Sequence, residues 1–143
     1  MSEWEMIIKL FLACLFGAAF GFSREKERKA AGLRTHILVS LGSTLFTMVS
    51  IFVAQQFPGS DSGRIASSIV TGIGFIGAGT ILQAGKSIIG TTTAASIWTT
   101  AAIGMALGFG FYEGAAVATI LGVVVLTFLH DFEVKYIRDS KKD

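Results

Sequence analysis

The most chemically pointed stretch of the sequence runs from Arg24 to His36. It reads Arg24-Glu25-Lys26-Glu27-Arg28-Lys29-Ala30-Ala31-Gly32-Leu33-Arg34-Thr35-His36 and places five cations beside long apolar runs. A basic segment of this kind draws anionic lipid, at about 1 kcal/mol per charge, and helps fix topology. Total charge does not require Arg34 to abut an apolar run, with Thr35 and His36 directly after it. That placement suits capping of a neighbouring helix's C-terminal carbonyls, or holding an anion.

A second segment, Gly72-Ile73-Gly74-Phe75-Ile76-Gly77-Ala78-Gly79, matches G-x-G-x-x-G over its first six residues. Dinucleotide binding needs a preceding strand, a following amphipathic helix and an acidic residue about 20 positions on. At that distance stands Thr91-Thr92-Thr93. The glycines therefore read as close-packing positions, because helices in lipid associate through small residues. Gly17 with Gly21, Gly104 with Gly108, and Ser68 with Gly72 form such faces at i, i+4, and they could equally serve contacts between copies.

Hydroxyls crowd the same apolar runs: Ser40, Ser43, Thr44, Thr47, Ser67, Ser68, Thr71, Thr80, Ser96, Thr99 and Thr100. They suit interhelical or back-bonded hydrogen bonds worth about 0.6 kcal/mol each; the competing reading is a polar seam for a small solute or ion. Thr91-Thr92-Thr93 after Gly90 is expected to cap a helix N-terminus. His36 and His130 are the only histidines, and Asp131 and Glu133 could approach them. No nucleophile elbow, zinc spacing or paired carboxylate appears, so neither an enzyme nor a cofactor is expected. The single Cys14 reads as a small core residue. No carboxylate falls in the middle of an apolar run, which argues against proton-coupled transport. Lys9 comes nearest, with Glu5 at i−4 as its partner or with its ammonium reaching the outer interface.

These residues must be positioned by membrane helices. Of 143 residues, 52% are hydrophobic and 15% charged, with a mean hydropathy of +0.65. Soluble domains carry about 25% charge, and about 20 apolar residues span a bilayer core. The sequence predicts an all-α bundle of about five transmembrane helices in a single domain, with spans near 6–22, 37–56, 65–84, 91–110 and 114–130. Spans three and four, rich in glycine and threonine, are where a broken or re-entrant helix is the alternative. Phe57-Pro58-Gly59-Ser60-Asp61 is the clearest turn. With five spans, Arg24, Lys26, Arg28, Lys29, Arg34, Lys86, Lys135, Arg138, Lys141 and Lys142 share one side, against Lys9 and Arg64 on the other. The positive-inside rule then puts the N-terminus outside and the C-terminus in the cytoplasm. The acidic start Ser2-Glu3-Trp4-Glu5 is unlike a signal peptide. The basic pI near 8.9 follows from this topology, and no nucleic-acid partner is expected.

Three ordered motifs resemble those of the MgtC/SapB membrane proteins. The first is Arg24-Glu25 with Ala31-Gly32-Leu33-Arg34-Thr35-His36-Ile37-Leu38-Val39-Ser40-Leu41-Gly42; the second is Arg64-Ile65-Ala66 with Gly72 to Gly79; the third is Gly90-Thr91-Thr92-Thr93-Ala94-Ala95-Ser96-Ile97-Trp98. The resemblance covers roughly 17–126. It implies a bacterial plasma-membrane protein of about five spans, tied to adaptation to low magnesium, acid or host stress. Many members carry a soluble domain after the last span, so the resemblance here is to a short form. The motif positions Arg24, Glu25, Arg34, Thr35, Arg64, Gly72, Gly74, Gly77, Gly79, Thr92, Thr93 and Trp98 become the candidate site residues. The expected role is a non-enzymatic regulator that assembles with itself, as a homo-oligomer such as a dimer, or with another membrane protein. A transporter or channel for a small ion such as magnesium is the alternative.

Overall fold

The computed structural model describes residues 2–57, 59–129 and 132. Pro58 of the expected turn, His130 with Asp131 and Glu133, and the basic tail lie outside the described residues. Five α-helices are described: α1 (Glu3–Lys26), α2 (Leu33–Gln56), α3 (Ser62–Ala78), α4 (Thr91–Phe109) and α5 (Tyr112–Val124), the last continued by a π-helical turn at Val125–Leu129. A hairpin of strands β1 (Leu82–Ala84) and β2 (Ser87–Ile89) joins α3 to α4, with Leu82 opposite Ile89 and Ala84 opposite Ser87. Among the described residues three helical stretches are long and apolar enough to cross a membrane: Glu3–Lys26, Leu33–Gln56 and Tyr112–Leu129.

Local chemistry sets the helix ends. The Ser2 hydroxyl accepts from Glu5 N at 3.2 Å, and acids in the first turn of α1 and bases in its last complement the helix dipole. Asp61 caps α3 by accepting from Gly63 N at 2.7 Å. Gly110, at φ +83°, lets the chain leave α4 through a left-handed residue and enter α5 two residues later.

Several expectations are corrected here. Arg24, Lys26, Arg34 and His36 are helical, so the first connection shrinks to Glu27–Gly32. The expected third span ends its helix at Ala78; Gly79 is the C-cap, and 80–84 form a turn and β1. Glycine shapes the segment that follows: Gly85 turns the hairpin at φ +63° and Gly90 leads into α4 at φ +91°, where the Thr80 carbonyl lies in the place a Gly90 side chain would take. The threonine cap of α4 is also corrected: Gly90 holds the N-cap position with no side-chain cap bond, and Thr91 is already helical.

The distribution of side chains is inverted relative to a water-soluble globule. Ser40, Thr44, Thr47, Ser50 and Thr100 are buried, whereas Phe11, Leu38, Phe46, Phe75 and Ile120 are more than half exposed. Lipid as the outer solvent accounts for this, because apolar surface gains nothing by leaving it. α2 sits between α1, α3 and α4. A Cβ at Gly17 would lie 2.7 Å from the His36 carbonyl, and one at Gly21 2.6 Å from Leu33 Cα, so α1 rides directly on the backbone of α2. Gly108 gives α4 the same approach, 2.5 Å from Thr47 Cβ, and the Ser40 carbonyl occupies the space beside Gly104. These two glycine faces are spent inside the chain. The Ser68 and Gly72 face is not packed: nothing lies within 4 Å of a Gly72 Cβ.

Candidate functional site

Arg24, in the last turn of α1, is 3% exposed. Its Nη2 donates to Thr93 Oγ1 in the first turn of α4 at 2.9 Å, and its Nη1 donates to Glu27 Oε2 at 3.3 Å. One turn into α2, His36 is completely buried. Its Nδ1 lies 2.8 Å from the Gly32 carbonyl and its Nε2 3.0 Å from Ser96 Oγ. A carbonyl only accepts, so Nδ1 carries a proton. Ser96 Oγ is also 2.8 Å from the Thr93 carbonyl. The single Ser96 proton can satisfy that carbonyl or a neutral His36 Nε2, not both. The imidazole stacks on Phe20 of α1 with centroids 6.4 Å apart. One polar cluster thus ties the adjoining ends of α1, α2 and α4.

Glu25 has a different task from its neighbour. Its Oε2 accepts from Leu33 N at 2.9 Å, placing a carboxylate on the N-terminus of α2. That oxygen fills the space a Gly32 side chain would need, so glycine at 32 is a condition of the cap.

At the other end of α4, Lys9 is 4% exposed. It pairs with Glu5 at 2.9 Å and donates to the Gly108 carbonyl at 3.1 Å. The Glu5 pairing expected from spacing is present; the ammonium does not reach outward, because the C-terminal carbonyls of α4 give it a closer partner.

Between α2 and α3 lies a groove of about 910 Å³. Arg34 and Thr35 stand at one end, Leu38, Val39, Ile69 and Ile73 form its walls, and Gly42 and Gly72 open its floor. Arg34 is exposed and caps no carbonyl among the described residues. The other motif positions disperse. Gly77 packs on Ala94, whose nearest atom is 3.5 Å from a Gly77 Cβ, while Gly74 faces open space and Gly79 ends α3. Thr92 is exposed; Trp98 is half exposed, beside a cavity of about 160 Å³. Arg64 lies at the far end of α3, where its carbonyl accepts from Ser67 and Ser68. The candidates therefore divide into a locked cluster (Arg24, Thr93), a cap (Glu25) and an open groove (Arg34, Thr35, Gly72). Sequence reasoning missed the depth of His36 and its bond to Ser96; the spacing of buried residues 36, 40, 43 and 47 along one face was the available signal. Among the described residues no group of three or more His, Cys, Asp or Glu could hold a metal ion.

The MgtC family profile matches residues 10–135, which include the whole cluster and groove. The chain is 46% identical over 131 residues to "Putative magnesium transporter YhiD" of Escherichia coli K12, covering 88% of this chain and 61% of that protein. It is 42% identical over 121 residues to "Protein MgtC" of Salmonella typhimurium LT2, covering 85% and 51%. It is 38% identical over 131 residues to "Protein SapB" of Bacillus subtilis, covering 87% and 56%. The chain thus spans less than two thirds of each of these curated relatives. No solved structure is significantly similar to it.

Proposed function

The chain belongs to the MgtC family, and from that premise we propose that it is a non-enzymatic regulator in the bacterial inner membrane, serving magnesium-related adaptation by contact with another membrane protein or a second copy. The relatives' names carry the link to magnesium. The proposed topology has all five helices crossing, with the N-terminus outside. Its support is that Arg24 to Arg34 and the Lys86 hairpin flank the same end of the bundle, where α1 meets α2 and α4.

The observation that carries the regulator reading is how the buried hydroxyls are used. Thr44 has the Ser40 and Gly104 carbonyls at 2.9 and 2.8 Å as the two acceptors that share its one hydroxyl proton, Thr47 donates to the Ser43 carbonyl at 2.8 Å, and Thr100 to the Ser96 carbonyl at 2.8 Å. The bond to Gly104 joins α2 to α4 and the other three close within a helix, so these hydroxyls offer an ion little; Ser40 Oγ is the buried hydroxyl oxygen left without a partner among the described residues. The internal use of the Gly17 and Gly104 faces moves the proposed partner surface to α3, where Gly72 and Gly74 are open. The second reading, a transporter or channel, rests on the name of the Escherichia coli relative. Ion flux into liposomes reconstituted with the chain separates the two. The regulator reading expects no magnesium or proton flux above that of empty liposomes. Saturable flux that falls in Thr44→Val or Gly77→Leu would overturn it.

A further inference from the structure

The α2–α3 groove has the dimensions and chemistry of one lipid leg. Its α2 wall runs from Arg34 to Phe46, twelve helical steps or about 18 Å, close to the ~15 Å of one leaflet of a bilayer core. Apolar side chains line that length: Leu38, Val39, Phe46, Ile69, Ile73 and Ile76. The charged donor stands at one end, where the Arg34 guanidinium and the Thr35 hydroxyl have no hydrogen-bond partner among the described residues; Ser43 and Ser68 also line the groove, Ser68 donating to the Arg64 carbonyl, and among the described residues no carboxylate lines it. Gly42 and Gly72 keep the floor open, with nothing within 4 Å of either Cβ. An apolar slot of leaflet length with a free guanidinium at its headgroup end is complementary to an anionic phospholipid and to no purely apolar helix.

We propose that this groove is a specific site for one anionic phospholipid, with an acyl chain along α2 and α3 and the phosphate on Arg34 and Thr35. The site goes beyond the regulator reading and uses its topology only to assign the lipid to the inner leaflet. A bound lipid there would make the α3 face sensitive to membrane composition.

The test is native mass spectrometry of the full chain in mild detergent, supplied with phosphatidylglycerol or phosphatidylcholine of identical acyl chains. This measurement does not depend on orientation or on flux, so it can fail while the regulator reading stands, and the reverse. One phosphatidylglycerol per chain should be retained in preference to phosphatidylcholine. Arg34→Ala should lower that preference roughly tenfold, the worth of one charge-assisted hydrogen bond. Gly72→Leu and Gly42→Leu, which fill the floor of the groove from α3 and from α2, should abolish retention of both lipids while circular dichroism stays unchanged. Lys86→Ala, outside the groove, should leave retention intact. Equal retention of both lipids, or equal losses in Arg34→Ala and Lys86→Ala, would overturn the proposal. So would a lipid-free dimer that Gly72→Leu converts to monomer, since the groove would then seat a second copy.

Discussion

Replacing Gly108 with alanine tests the closeness of α2 and α4 on which the rest of the bundle depends. A Cβ there would lie 2.5 Å from Thr47 Cβ, 2.8 Å from Thr47 Cγ2 and 2.9 Å from the Thr44 carbonyl. Carbon atoms settle at about 3.5–4.0 Å, so the helices must part by about 1 Å. Thr47 cannot turn aside at no cost, because its hydroxyl is bonded to the Ser43 carbonyl. Parting the helices also stretches the 2.8 Å bond from Thr44 to the Gly104 carbonyl. Overpacking costs about 1–3 kcal/mol, the lost bond adds about 0.6, and alanine's better helix propensity returns up to about 1. The expected net loss is about 1–3 kcal/mol. The matched control is Gly72→Ala, where a Cβ meets nothing within 4 Å and only the helix-propensity gain remains. Reversible unfolding in mixed micelles by SDS titration, followed by circular dichroism, measures both. If Gly108→Ala is neutral, or Gly72→Ala is as damaging, the α2–α4 packing described here is wrong.

Two further outcomes follow from the cluster. Arg24→Ala and Thr93→Val should each destabilise by about 1–3 kcal/mol, and their double-mutant cycle should show coupling of at least ~0.5 kcal/mol; additive losses would deny the 2.9 Å contact between them. Glu25→Ala should cost about 0.5–2 kcal/mol as a lost helix cap. Because a side chain at Gly32 displaces the Glu25 carboxylate, adding Glu25→Ala to Gly32→Ala should cost little more; the same unfolding titration checks both.

Much of this architecture was legible because long uncharged runs admit few alternatives in a chain this short. The runs behind α1, α2 and α5 needed only their length and composition. Their ends were harder to read: Arg24 and Lys26 look like loop residues by charge, yet at a helix C-terminus they complement the dipole and α1 runs through them. The hairpin was invisible, since strands of three residues show no alternation and only the positive φ of Gly85 and Gly90 gives it away. The motif residues were legible as a set. Their division between cluster, cap and groove was not, because it depends on pairings such as Arg24 with Thr93 and His36 with Ser96, 69 and 60 positions apart.

The hydroxyls carry the last step. On α2 the buried residues His36, Ser40, Ser43, Thr47 and Ser50 recur at steps of four and three, a 3.5-residue repeat. On α4, Thr93, Ser96, Thr100, Gly104 and Gly108 present the matching small surface. In water such a seam is filled by leucine, since burial drives association there. In lipid that drive vanishes, and short side chains that let backbones touch and close their own hydrogen bonds take over. A polar stripe on a membrane helix therefore reads first as a core, and as a path for solutes only where it faces a cavity. Here two cavities lie against α3, one on α2 and the other beside Trp98 of α4; the larger is walled mainly by apolar side chains, with Ser43 of the stripe and Ser68 of α3 also lining it. Ser40, Thr44, Thr47 and Thr100 are packed away between helices, whereas Ser43 and Ser68 line the groove. The chemistry left open is the groove between α2 and α3, with Arg34 of α2 at its end.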